Sequence, residues 1–121
     1  MSKIYFTLTG TQYRMGKDFL EPGMKLQLVK EPDNQYDKEA IKVMMAGMGH
    51  LGYVANSVYT VLGDSHSAGR LYDKIGDTAK AKVVAVTGRG VICKVCKKSL
   101  LGYVAPAKSE EGEALEETSE Q

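Results

Sequence analysis

The chain has 121 residues, 43% of them hydrophobic, with no tryptophan, which suffices for one modest core and is too little for two domains. No apolar run approaches membrane-spanning length, the N-terminus lacks the small-residue cleavage site of a secretory signal, and Cys93 and Cys96 supply no disulfide framework; a cytoplasmic chain that meets no membrane is the expectation. All 16 lysines and arginines fall at or before Lys108 with 9 acids, a net of +7, whereas residues 109–121, "SEEGEALEETSEQ", carry 6 acids and no base: a pattern of proteins that meet polyanions, or a solubilising terminus.

In chain order, "KIYFTLT" (3–9) is β-branched and aromatic and reads as a strand. "GTQYRMGKDFLEPG" comes next as a glycine-punctuated loop. "MKLQLVK" (24–30) alternates, with Met24, Leu26 and Leu28 on one face, as a half-buried strand does. The loop "EPDNQYDKE" leads into a strand "AIKVMMA" (40–46), which pairs as a hairpin with 50–55. Asn56 or Ser57 is placed to cap a short helix through "SVYTVLG", ended by Gly63. "DSHSAGRLYDKIGD" (64–77) reads as a loop with a turn or two of helix around Leu71 to Ile75. "TAKAKVVAVT" (78–87) is a long strand, turned by "GRG" into "VICKVCKKS" (91–99). The expected fold is mostly β (α+β): a small antiparallel OB-like or SH3-like barrel of five or six strands with one or two short helices. The expected division is a barrel over 1–106 and a disordered acidic tail over 107–121.

Several motifs carry less chemistry than their spacing suggests. "GMGHLG" (47–52) matches a dinucleotide fingerprint, but it runs into a strand, not into the helix whose N-terminus would meet a pyrophosphate. Cys93-Lys94-Val95-Cys96 lacks a second ligand pair for zinc, and residues three apart on a strand point to opposite faces. "LGYVA" occurs at 51–55 and again at 101–105, either by chance or as two similar strand segments. His50 and His66 have no nucleophile in register, and Asp33, Asp37 and Glu39 share one loop without a partner for acid–base or metal work. The expectation is a protein that is not an enzyme and needs no cofactor or metal.

What remains is an aromatic and polar set: Tyr13 and Arg14 after the first strand, Tyr36 and Asp37 in the 31–39 loop, Tyr53 and Asn56 at the end of the hairpin. Tyrosines at strand and loop ends can offer flat faces to unpaired bases, and nearby cations neutralise phosphates. The plainer reading of each tyrosine is partial burial with a wet hydroxyl. For Asp37 it is an Asx-turn, and for Pro32 and Asn34 turn chemistry.

"LTGTQY" (8–13), "GMKLQLVKEPDNQYDKEAIKV" (23–43) and "LGYVANS" (51–57), in this order, resemble the HIRAN domain over roughly residues 4–98. That family occurs at the front of fork-remodelling helicases and as short free-standing bacterial proteins, and the chain resembles the second kind. The resemblance implies an OB-like barrel that captures the 3′ end of single-stranded DNA, in the setting of DNA repair, with a helicase or nuclease as partner in trans. On that basis Tyr13 and Tyr36 pack against terminal bases, and Asp37 accepts a hydrogen bond from the 3′-hydroxyl. Asn34, Tyr53 and Asn56 line the pocket, with Gln12, Arg14 and Lys38 beside it. An aspartate in a basic pocket selects a hydroxyl end, because an internal phosphate would be repelled. Gln12, Tyr53 and Asn56 replace an arginine, a histidine and a lysine of the eukaryotic domain, with Lys30, Lys38, Lys42 and Arg70 as candidates to compensate. The alternative function is a protein-interaction adaptor that takes a peptide in the barrel groove or at a sheet edge. A tail that folds back over the basic face and competes with DNA is a further expectation.

Overall fold

The computed structural model describes residues 3–9 and 19–104. Six strands, β1 (Tyr5–Thr9), β2 (Lys25–Lys30), β3 (Ile41–Met45), β4 (Gly49–Val54), β5 (Thr78–Val86) and β6 (Val91–Val95), close into a barrel in the order β1-β4-β3-β2-β5-β6. Every neighbouring pair is antiparallel, including the β1–β6 closure that runs from Tyr5 opposite Lys94 to Leu8 opposite Val91. The alternation read along 24–30 is the cause: Leu26 and Leu28 turn inward while Lys25 and Gln27 stay outside. Register shifts put an extra residue, Leu51, in β4 opposite Val43/Met44 and another, Val84, in β5, and such bulges bend β4 and β5, which helps so small a sheet to close.

Phe6, Leu8, Leu28, Ile41, Leu51 and Val91 fill the interior. A short helix α1 (Ala68–Tyr72) packs Ala68 and Leu71 onto that core, and Ile75 joins them inside. Gly47 and Gly49 carry positive φ (84° and 83°) in the β3–β4 turn, so the G-x-G of 47–49 is hairpin chemistry and not a phosphate loop. Gly52 is required for packing: a Cβ there would collide with the Thr9 carbonyl oxygen.

Several expectations are corrected. Residues 57–63 form one turn, not a helix. Thr60 and Val61 both donate backbone N–H to the Ser57 carbonyl, and the Leu62 N–H goes to the Thr7 hydroxyl instead of continuing a helical ladder. A run of Val58, Tyr59, Thr60 and Val61 has little helix propensity to oppose that. The helix of the next segment starts earlier than expected, because Ser67 caps it by accepting from the Arg70 N–H. β6 ends at Val95, and Lys97–Ser99 form a 3₁₀ turn. The two "LGYVA" copies differ: Leu51 is buried in β4, whereas Leu101 is exposed in a turn where Gly102 has φ +86°. Cys93 and Cys96 are both buried, since Cys96 lies beyond the strand whose alternation would have turned it out. Burial pushes the Cys93 thiol far above its ordinary range. The boundary at 106, the expected acidic tail and residues 10–18 of the loop expected over 10–23 lie outside the described residues.

Candidate nucleic-acid interface

The loop between β2 and β3 is closed at its base by the Glu31 N–H donating to the Ala40 carbonyl. Inside it, the Asn34 Oδ1 accepts from the backbone N–H groups of Tyr36 (2.8 Å) and Asp37 (2.9 Å), while its Nδ2 donates to the Glu31 carboxylate (3.1 Å). The Asp37 Oδ1 accepts from the Glu39 N–H, and its carbonyl from the Ala40 N–H. Thus the turn chemistry expected for Asn34 and the Asx-turn weighed for Asp37 are both present. They hold the peptide on either side of Tyr36, whose side chain is 89% exposed. Core packing therefore does not explain this tyrosine.

Asn56 bridges that loop to α1. Its Nδ2 donates to the Asp37 Oδ2 (3.0 Å) and to the Glu39 Oε1 (3.4 Å), and its Oδ1 accepts from the Gly69 N–H (2.8 Å). Carboxylates only accept, so the amide must face them with its nitrogen. Asp37 is half-buried, with one bond to each oxygen and lone pairs left over. Lys38 beside it is exposed. The described surroundings of Asp37 are an asparagine and a second carboxylate, not the basic pocket that the resemblance implies.

Glu31 lies inside the segment that carries the resemblance, which implies no role for it, yet it organises one side of the site. Its carboxylate accepts from Asn34 and from the Tyr53 hydroxyl (2.9 Å), and it pairs with Lys42 at 3.4 Å. Partial burial pushes this carboxyl up. The hydrogen bonds from Asn34, Tyr53 and Lys42, with the Lys42 charge, outweigh that and hold it below the ordinary value. Tyr53 is half-buried, its hydroxyl engaged by Glu31 and its ring edge-on to His50 at 4.9 Å between centroids. Its role is to brace the loop.

The structure brings Asn34, Tyr36, Asp37, Lys38 and Asn56 together, with Tyr53 linked through Glu31; Gln12, Tyr13 and Arg14 lie outside the described residues. Next to Asn56 opens a pocket of about 630 Å³, lined among others by Ser57, Val58, Val61, Ser67 and Arg70. Val58 in its lining and Tyr59, next in sequence, are almost fully exposed, a feature hidden in the sequence by reading this segment as a short helix. Among the described residues, no three His, Cys, Asp or Glu side chains form a metal-ligating group, and no helix is long and apolar enough to cross a membrane.

The HIRAN domain profile matches residues 1–98. The chain belongs to the HIRAN family. Its fold is similar to that of a crystallised protein from Lactobacillus plantarum, with a TM-score of 0.53 at 21% identity, over 78% of this chain and 93% of that one. It is similar also to the crystal structure of the HIRAN domain of human HLTF, with a TM-score of 0.52 at 18% identity, over 78% of this chain and 74% of that one. Among curated proteins none matches the sequence significantly.

Proposed function

We propose that this HIRAN domain binds single-stranded DNA and reads its 3′-hydroxyl end through the loop of residues 31–40. The observation that carries the reading is the fully presented Tyr36 ring, next in sequence to a carboxylate whose two oxygens are aimed by the Glu39 N–H and by Asn56. Membership in a DNA-binding family supports it. In this reading the terminal base stacks on Tyr36, worth roughly 1–3 kcal/mol. The 3′-hydroxyl donates to a remaining lone pair of Asp37. A phosphate in the same place would face like charge, at a cost of roughly 1–4 kcal/mol at about 4 Å near a protein surface. Glu39 adds to that repulsion, so the site discriminates against phosphate even without a basic surround.

The test is fluorescence anisotropy with a short single strand ending in a 3′-hydroxyl, against the same strand ending in a 3′-phosphate. Wild type should prefer the hydroxyl by about tenfold or more, in keeping with a repulsion above roughly 1.4 kcal/mol. Asp37→Asn, which keeps an acceptor for the Glu39 N–H, should lose most of that preference. Equal binding of the two strands by wild type would sink the reading.

The adaptor alternative has limited room at a sheet edge: each described strand has a strand neighbour on both sides in the closed barrel, although β1 and β4 pair only at Leu8 with Val54 and Thr9 with Tyr53. A peptide in a groove remains, and its weak salt dependence separates it from DNA.

A further inference from the structure

A second feature lies at the other end of β2 from the 31–40 loop. Lys25 on β2 stands directly opposite Lys82 on β5, Lys82 opposite Lys94 on β6, and Lys94 opposite Tyr5 on β1. Leu26, Ala81, Val83, Cys93 and Phe6 point into the core between them, so alternation turns all four residues of this row outward. At the usual spacing of strands the row runs about 15 Å across four of them. Like charges directly opposite one another are unfavourable in a sheet, and none of these lysines pairs with a described carboxylate. The fold therefore bears a cost here for which its own described residues offer no return.

Beside the row is an open cleft of about 630 Å³ on the outer face of the sheet, where Met44 lies across from Gln27, with Lys25 and Lys80 at its edge and Met45 partly packed onto the core. A methionine set among lysines matches one kind of ligand: a strand with regularly spaced negative charge and unstacked flat groups. Lysines act as point charges on a backbone without reading sequence. Methionine sulfur and methyl groups pack adaptably against aromatic rings.

We propose that the Lys25–Lys82–Lys94 row is a second nucleic-acid contact. It binds the phosphodiester backbone of a single strand, with an unstacked base held against Met44 in the cleft. This inference rests on the reading that the chain binds single-stranded DNA, but not on recognition of an end.

Circular single-stranded DNA, which has no terminus, separates the two sites. Full-length wild type and the triple variant Lys25→Gln, Lys82→Gln, Lys94→Gln are titrated with the circle over a range of salt. In parallel they are titrated with the short 3′-hydroxyl and 3′-phosphate strands. The triple variant should bind the circle at least tenfold more weakly at low salt. The slope of log affinity against log salt should shrink by about 2, as three lost phosphate contacts predict, while the preference for the hydroxyl end stays. Met44→Glu, which places a carboxylate in the cleft without touching the lysines, should also weaken the circle. Circle binding that ignores the three lysines, or wild type that does not bind the circle, overturns the proposal. Capture of an acidic peptide by the row, with no effect on the circle, overturns it in favour of a protein partner. Lysine-dependent binding of the circle without any end preference upholds the row and removes the end-recognition reading instead.

Discussion

Asn34 is the residue on which the geometry of the loop turns, and replacing it separates a structural brace from a ligand contact. Asn34→Ala removes three hydrogen bonds, two accepted from the Tyr36 and Asp37 N–H groups and one donated to Glu31. Each is worth about 1 kcal/mol net, but the Tyr36 N–H bond is exposed, so water replaces much of it. The expected loss is about 1–2 kcal/mol, which for a domain of this size lowers Tm by roughly 5–15 °C. Asn34→Asp is the informative companion. It keeps the acceptor for both N–H groups, loses the donation to Glu31, and sets a second carboxylate against that of Glu31. Its deficit should appear at pH 7 and shrink as the pH is lowered toward about 4, where carboxylates protonate. Thermal unfolding by circular dichroism measures both variants, and end-labelled anisotropy tests whether the hydroxyl preference declines with loop order. An Asn34→Ala protein that melts with wild type would refute the account of the loop as a side-chain-braced turn.

Gly52→Ala should destabilise by about 3 kcal/mol or more, because the new Cβ meets the Thr9 carbonyl oxygen, part of a backbone that cannot yield; a urea midpoint equal to wild type would contradict this. The dependence of Tm on pH should fall in two stages on acidification. Partial burial, with the Arg70 and Lys74 charges, holds the His66 imidazole below its ordinary value of 6.5, so its contribution is complete above that pH and is lost as pH falls through the lowered folded value. Glu31, also lowered, keeps its contribution above its ordinary 4.5 and loses it below. His66→Gln should abolish the upper stage and Glu31→Gln the lower, as read from melting curves between about pH 7 and pH 3. Deleting residues 109–121 removes 6 acids and no base. Affinity for single-stranded DNA should then rise, most at low salt, and unchanged affinity would show that the tail does not compete.

The strands are legible because each carries its own signal. Alternation in 24–30 and 78–87 is visible without any partner, and the structure keeps it. Segments whose structure depends on distant contacts are not. Residues 57–63 have the apolar spacing of a short helix, yet the Thr7 hydroxyl, on another strand, takes the Leu62 N–H. The two copies of one pentapeptide differ because Gly52 is packed under Thr9 while Gly102 sits in open space. At the candidate site, the turn residues Asn34 and Asp37 are readable from local chemistry. Glu31 is not, since its three partners lie 3, 11 and 22 positions away in the sequence. The lysine row is a case of register: Lys25, Lys82 and Lys94 each read as outward, but only the pairing of β2, β5 and β6 sets them in one line.

Taken together, the charges divide the barrel. The 31–40 loop carries Glu31, Asp37 and Glu39, with Lys42 spent on Glu31 and Asn56 standing between the other two. Such a place is a poor site for a phosphate backbone, whose affinity is largely electrostatic. It is a suitable one for a neutral terminus, where a hydroxyl and a base face meet a carboxylate and a tyrosine. Affinity for the rest of a strand would then have to come from elsewhere, and an outward row of lysines at the far end of β2 gathers positive charge among the described residues. On the two proposals combined, the acidic loop supplies discrimination and the lysine row supplies attraction. Salt should accordingly weaken binding of long strands steeply, while leaving the ratio between hydroxyl and phosphate ends comparatively unchanged. A ratio that collapses with salt in step with the affinity would mean that one surface does both tasks.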